Sequence, residues 1–129
     1  MKMCKIPKIS NSEWEVMKII WSHSEITSSN IIHKLKNKTH WKPATVKSLI
    51  NRLLNKNAIG FKKLGNEYLY FPLVSEKDYI KSESQSFINR VFNGSIKSML
   101  LNFVESKEIS ESDIDELKNI LNQANKTKG

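Results

Sequence analysis

Between Pro43 and Asn57 the chain reads PATVKSLINRLLNKN, and six of its polar side chains could do chemistry together. Thr45, Lys47, Ser48, Asn51, Arg52 and Lys56 offer hydrogen bonds and positive charge, and none of them is an acid. That combination suits the edges of bases and the phosphates of a polyanion, as on a helix lying in the major groove of DNA. A solvated helix face is the plainer reading of the same residues. The other side of the segment is apolar. Val46, Leu49, Ile50, Leu53 and Leu54 recur at the i, i+3, i+4, i+7 spacing of a buried stripe. Pro43 suits the first helical position, whereas Lys42 is a poor cap before it.

The elements around this helix must hold it in place. Ser10 and Glu13 form a capping box, with Ile9 and Trp14 as a hydrophobic staple, and Trp14, Met17, Ile20 and Trp21 continue as an apolar stripe to about Ser22 or His23. A second helix is expected after Thr27, carrying Ile31, Ile32 and Leu35 and fading in the polar run KNKTH. After Asn57 the period shortens to two. Ile59–Leu64 and Glu67–Leu73 are strand-like, with Gly65-Asn66 as the turn, and Pro72 should end the pairing or lie on an edge. Lys62 and Lys63 place charge close to that turn. Three helices and a hairpin in this order predict a winged helix-turn-helix over residues 1–74, with the hairpin lysines reaching phosphate beside the groove.

Residues 75–129 show helical signals only. Ser75 and Asp78 form a cap, and Tyr79, Ile80, Phe87, Ile88, Val91 and Phe92 supply the apolar positions of a fourth helix that Gly94 should stop. Ile96, Met99, Leu100, Phe103 and Val104 mark a fifth. Ser110, Asp113 and the pair Ile109/Ile114 open a sixth, with Leu117, Ile120 and Leu121 in its stripe and fraying expected from Asn125. The expected fold class is therefore mostly α. About 55 helical residues make a thin core on their own, so these stripes need a partner, either the first domain or a second copy of the chain. We favour the second copy, through Ile80, Phe87, Ile88, Val91, Leu100, Phe103, Leu117 and Leu121, because two linked readers bind a two-fold site by avidity.

Charge divides along the same line. Residues 1–74 carry 13 Lys/Arg and 4 Asp/Glu, and residues 75–129 carry 8 and 9, within a net charge of +8 over 129 residues. A basic half beside a near-neutral half predicts a polyanion-binding module joined to something else. No apolar run approaches the roughly 20 residues that span a bilayer, and MKMCKIPKIS has no apolar core of a secretory signal. The single Cys4 forms no internal disulfide, fits a reducing cytoplasm, and reads as an incidental residue of a frayed terminus. His23, His33 and His40 are too scattered for a metal site, there is no phosphate-binding glycine loop, and no cofactor is expected. The acids of Glu13/Glu15 and Asp113/Asp115/Glu116 sit in first helical turns, where they complement the helix dipole, so no catalytic pair is expected and the chain does not read as an enzyme.

Six segments carry a family resemblance: ISNSEWEVMKIIW at 9–21, SSNIIHKL at 28–35, KPATVKSLINRLLNK at 42–56, YLYFPLV at 68–74, FINRVFNG at 87–94 and SMLLNFVE at 98–105. Together they resemble the penicillinase repressor (BlaI/MecI) family over nearly the whole chain. The resemblance implies a cytoplasmic homodimeric repressor, with a winged-helix reader followed by a three-helix dimerisation domain, acting on palindromic double-stranded operators of the TACA/TGTA type. It implies control of β-lactam resistance genes, encoding a β-lactamase or a penicillin-binding protein, together with the sensor operon. It also implies release when a membrane β-lactam sensor-protease pathway leads to cleavage between Asn102 and Phe103. Thr45, Lys47, Ser48 and Arg52 stand at the family's DNA-contacting positions. Relatives often carry arginine at the place of Lys47, lysine at that of Ala44, and serine or aspartate at that of Lys42. Lysine cannot make arginine's forked contact, which bears on base reading at Lys47. A copper-responsive branch ends in a cysteine cluster, and this chain has no cysteine after Cys4. Two other readings remain open at this point: a winged helix that serves protein interaction or DNA architecture, and a related repressor of a different regulon.

Overall fold

A computed structural model describes residues 6–128, so Cys4 lies outside the described residues. The chain divides into two compact units, 1–82 and 83–129, and the division falls within a helix. In chain order the elements are α1 (Asn11–His23), β1 (Ile26–Thr27), α2 (Ser28–Lys36), α3 (Pro43–Asn55), β2 (Ile59–Leu64), β3 (Glu67–Pro72), α4 (Glu76–Phe92), α5 (Ile96–Glu105) and α6 (Glu111–Lys128). The mostly α class with a small antiparallel sheet agrees with expectation.

The caps that local sequence announces are formed. The Ser10 N–H donates to Glu13 Oε1 at 2.9 Å and the Glu13 N–H donates back to Ser10 Oγ at 3.2 Å, which completes the capping box of α1. Thr27 accepts from the Asn30 N–H at the start of α2, Ser75 from Asp78 and Ser110 from Asp113, and the structure adds a cap at α5, where Ser95 accepts from Ser98. The helix α6 continues to Lys128 rather than fraying at Asn125, because no glycine or proline interrupts residues 111–128.

The first unit is built on one core. Val16, Met17, Ile19 and Ile20 of α1 meet Ile31 and Leu35 of α2 and Val46, Leu49, Ile50 and Leu53 of α3, with Ile26, Ala58 and Ile59 closing the sheet side. Trp14 and Trp21 are half-buried at its margin. They meet edge to face at 5.4 Å, and Tyr79 packs on both, at 5.3 and 5.8 Å. The Trp21 indole N–H donates to the Val74 carbonyl at 2.8 Å and the Tyr79 hydroxyl to that of Ile9 at 3.4 Å. This cluster ties the first turns of α4 to the first unit.

The sheet has the order β1-β3-β2, all antiparallel. Strand β1 was not foreseen: two residues pairing Ile26 with Tyr70 and Thr27 with Leu69 are too short to show a period. Gly65, at φ +65, occupies the first turn position between Leu64 and Glu67, where a two-residue hairpin of type II′ wants glycine. At Gly60 a Cβ would stand 2.8 Å from the Phe71 ring, so this strand position is held open for an aromatic side chain.

An ion pair with a buried carboxylate and an exposed ammonium crosses the first unit. Glu13, only 1% exposed, accepts from Lys56 Nζ at 2.5 Å, and the same ammonium donates to the Lys8 carbonyl at 2.8 Å. Burial pushes the Glu13 carboxyl up, but the Lys56 ammonium and the Ser10 cap together pull it further down, to a net position below its ordinary value. Such a group contributes stability above pH 4.5, its ordinary value, and loses that contribution as pH falls through the lower folded value. Glu13→Gln should therefore cost about 1–2 kcal/mol in urea unfolding at neutral pH, and the gap to the parent chain should close on acidification. A gap that stays constant from neutral to acid pH would contradict the pairing.

Candidate nucleic-acid interface

The face that α3 turns outward follows from the one it buries. Pro43 starts the helix with its fixed φ, and Lys42 takes the cap position, extended at φ −80 and ψ 158, with no side-chain hydrogen bond. The far end closes in a Schellman turn. The Ala58 N–H donates to Leu53 O and the Asn57 N–H to Leu54 O, each at 3.0 Å, with Asn57 left-handed at φ +61. With Val46, Leu49, Ile50 and Leu53 inward, Thr45, Lys47, Ser48, Asn51 and Arg52 are all exposed. Lys47 and Asn51, four apart, share one flank of the helix, and Ser48 and Arg52 share the next.

The structure separates the remaining expected contacts. Lys56 caps the end of α3 on the side of the first helix, where its ammonium is held by Glu13 and the Lys8 carbonyl. Lys62 and Lys63 are neighbours in sequence but point to opposite sides of the hairpin, because side chains alternate along a strand. The register sets Phe61 opposite Tyr70 and Lys63 opposite Tyr68, so these four share one face. Lys62, opposite Leu69, stands on the other face and pairs with Glu25. The ion pairs given by the described residues are Lys18–Glu15, Lys56–Glu13 and Lys62–Glu25, and none of them engages Lys47, Arg52 or Lys63.

Between α3 and the hairpin lies a cleft of about 250 Å³, lined by Ser28, Lys47, Ile50, Asn51, Tyr68 and Tyr70. Tyr68 is braced edge to face on Phe61 at 5.1 Å and 89°. Burial, and secondarily the neighbouring Tyr68, raise the Tyr70 phenol above its ordinary value. Ser28, Tyr68 and Tyr70 were not singled out from sequence. The signal was present, since a two-residue turn fixes the hairpin register and the register fixes which side chains stand beside α3.

In the second unit, the side chains expected at a subunit interface are mostly uncovered. Ile88 is buried, while Phe87, Val91 and Leu121 are exposed and Leu100, Phe103 and Leu117 are half-buried. Ile80 is exposed within the first unit. No residue of α5 is buried, and Ile96, Leu101, Val104 and Ile120, outside the expected set, are also exposed. Phe87 and Phe92 meet edge to face at 5.8 Å. Asn102 is exposed and Phe103 half-buried, both within α5. Among the described residues no group of three His, Cys, Asp or Glu side chains is placed to hold a metal ion, and no helix is long and apolar enough to cross a membrane.

Comparison with known proteins places this arrangement in a family. The family model described as penicillinase repressor matches residues 9–123. The penicillinase repressor of Bacillus licheniformis is 43% identical over 121 residues, covering 94% of this chain and 94% of that protein. The methicillin resistance regulatory protein MecI of Staphylococcus aureus is 42% identical over 119 residues, covering 92% and 97%. Among solved structures, the Bacillus licheniformis BlaI monomeric form in complex with the blaP half-operator is 42% identical, with a TM-score of 0.53, over 60% of this chain and 94% of that one. With the match running from the first helix well into the last, this chain belongs to the penicillinase repressor family.

Proposed function

We propose that this chain is a dimeric, sequence-specific DNA-binding repressor of β-lactam resistance genes. The carrying observation is the exposed face of α3: Thr45, Lys47, Ser48, Asn51 and Arg52 project together, with no acid among them. Arg52, on the flank shared with Ser48, has the fork that reads guanine O6 and N7. Lys63 on the hairpin adds charge on the side of α3, where a backbone phosphate would lie. A related repressor has been solved on its half-operator, and relatives carry the names of penicillinase and methicillin-resistance regulators, which supports operator binding upstream of such genes; the TACA/TGTA type is what the family resemblance implies.

Two further parts of the proposal rest on the second unit. Its exposed apolar side chains would be covered by a second copy, giving two readers on one palindrome. Release would follow cleavage between Asn102 and Phe103, downstream of a membrane sensor that detects the antibiotic. The cut would divide the helix that supplies Leu100 and Phe103.

Binding to duplex DNA should weaken steeply with salt, log affinity falling by about 0.9 per phosphate neutralised for each unit of log salt. Arg52→Ala should lose roughly 1–3 kcal/mol on the palindrome and little on scrambled duplex. Binding that ignores salt would favour a protein-interaction role instead. Lys63→Gln should reduce the salt slope by about 0.9 per half-site, and Lys62→Gln by less, because Glu25 already holds that ammonium. Equal slopes for the two variants would contradict the assignment of faces. Sedimentation of Leu100→Asp should show monomer at concentrations where the parent chain is dimeric. Substituting Asn102 should slow antibiotic-induced loss of full-length protein in cells, and an unchanged rate would move the scissile bond elsewhere.

A further inference from the structure

The cleft beside α3 lies off the part of the helix that would meet the bases, and all of its polar lining can donate. Lys47 brings an ammonium, Asn51 an amide, and Ser28, Tyr68 and Tyr70 three hydroxyls, while Ile50 forms an apolar wall. No carboxylate lines it. Neither tyrosine hydroxyl nor the Lys47 ammonium has a hydrogen-bond or ion-pair partner among the described residues. Donors converging around one positive charge match a group with acceptors only and a single negative charge.

We propose that this cleft binds one phosphodiester group of the operator backbone, with Lys47 as its counter-charge and the Tyr68 hydroxyl as a directed donor. The inference rests on the DNA-binding reading and assigns Lys47 a role within it. On the flank shared with Asn51, and facing two tyrosines of the hairpin, Lys47 meets the sugar-phosphate chain and not a base edge. Lysine suits this role as a point charge that needs no forked geometry. The Phe61 ring packs edge to face on Tyr68 and limits the orientations open to the phenol, which lowers the entropic cost of presenting its hydroxyl. Tyr68 and Lys47 thus fix the register of α3 in the groove without reading sequence.

The test uses the full-length chain with two fluorescent duplexes of equal length, one carrying a TACA/TGTA palindrome and one scrambled. Tyr68→Phe keeps the ring on Phe61 and removes only the donor. It should weaken both duplexes about equally, by roughly tenfold per half-site, with an unchanged salt slope. Lys47→Gln should also weaken both and lower the slope by about 0.9 per half-site. A scan of single neutral methylphosphonates through the palindrome should find one position per half-site that weakens the parent chain more than it weakens Tyr68→Phe or Lys47→Gln. The cleft assignment is overturned if Tyr68→Phe binds both duplexes like the parent, or if Lys47→Gln loses affinity for the palindrome alone. If the parent chain binds neither duplex at low salt, the DNA-binding reading itself fails.

Discussion

The first unit depends on the burial of one side of α3. Val46, Leu49, Ile50 and Leu53 are almost completely removed from water between α1, α2 and the sheet, and each such side chain is worth about 1.5–3 kcal/mol of transfer. Rotating the helix would expose that stripe, so the orientation of its other side is set as firmly as the core itself. The ends of the helix follow from the same placement. Its last turn brings Lys56 to Glu13 on α1, and the left-handed Asn57 redirects the chain into β2. The hairpin therefore rises beside α3 at a fixed register, with Phe61, Lys63, Tyr68 and Tyr70 on the near side.

Local features were legible in the sequence because their physics is local. The capping box at Ser10 and Glu13, the Thr27 cap, the proline at the start of α3 and the Gly65-Asn66 turn each involve residues a few positions apart. What was not legible depends on distant partners. Lys56 looked like one more cation on a basic helix, but the carboxylate that holds it lies 43 residues away. Lys62 looked equivalent to Lys63 until Glu25, in the connection before β1, paired with it from the far face. Strand β1 exists only because β3 offers it an edge, and two residues carry no period by which to announce themselves. Ser28 meets Tyr68 and Tyr70 only once helix, strand and hairpin are assembled.

The two units differ in kind. Residues 1–82 surround an aliphatic core and hold a cluster of three aromatic rings, whereas residues 83–129 leave many of their apolar side chains in water. The sequence stripes of the second unit showed which residues are apolar but not what covers them. If a second copy covers these side chains, as proposed, the folding of the second unit and its assembly would be linked. Under the proposed mechanism, loss of part of the second unit would remove avidity without any change at the reading face.

The central claim is that the exposed face of α3 enters the major groove of DNA. Dimethyl sulfate footprinting of the purified chain on the DNA upstream of its own gene tests this most directly, since guanine N7 lies in the major groove. The account predicts protection of guanines in two symmetric half-sites, lost when Arg52 is replaced by alanine. Unprotected guanine N7 positions on DNA that the chain demonstrably occupies would contradict it.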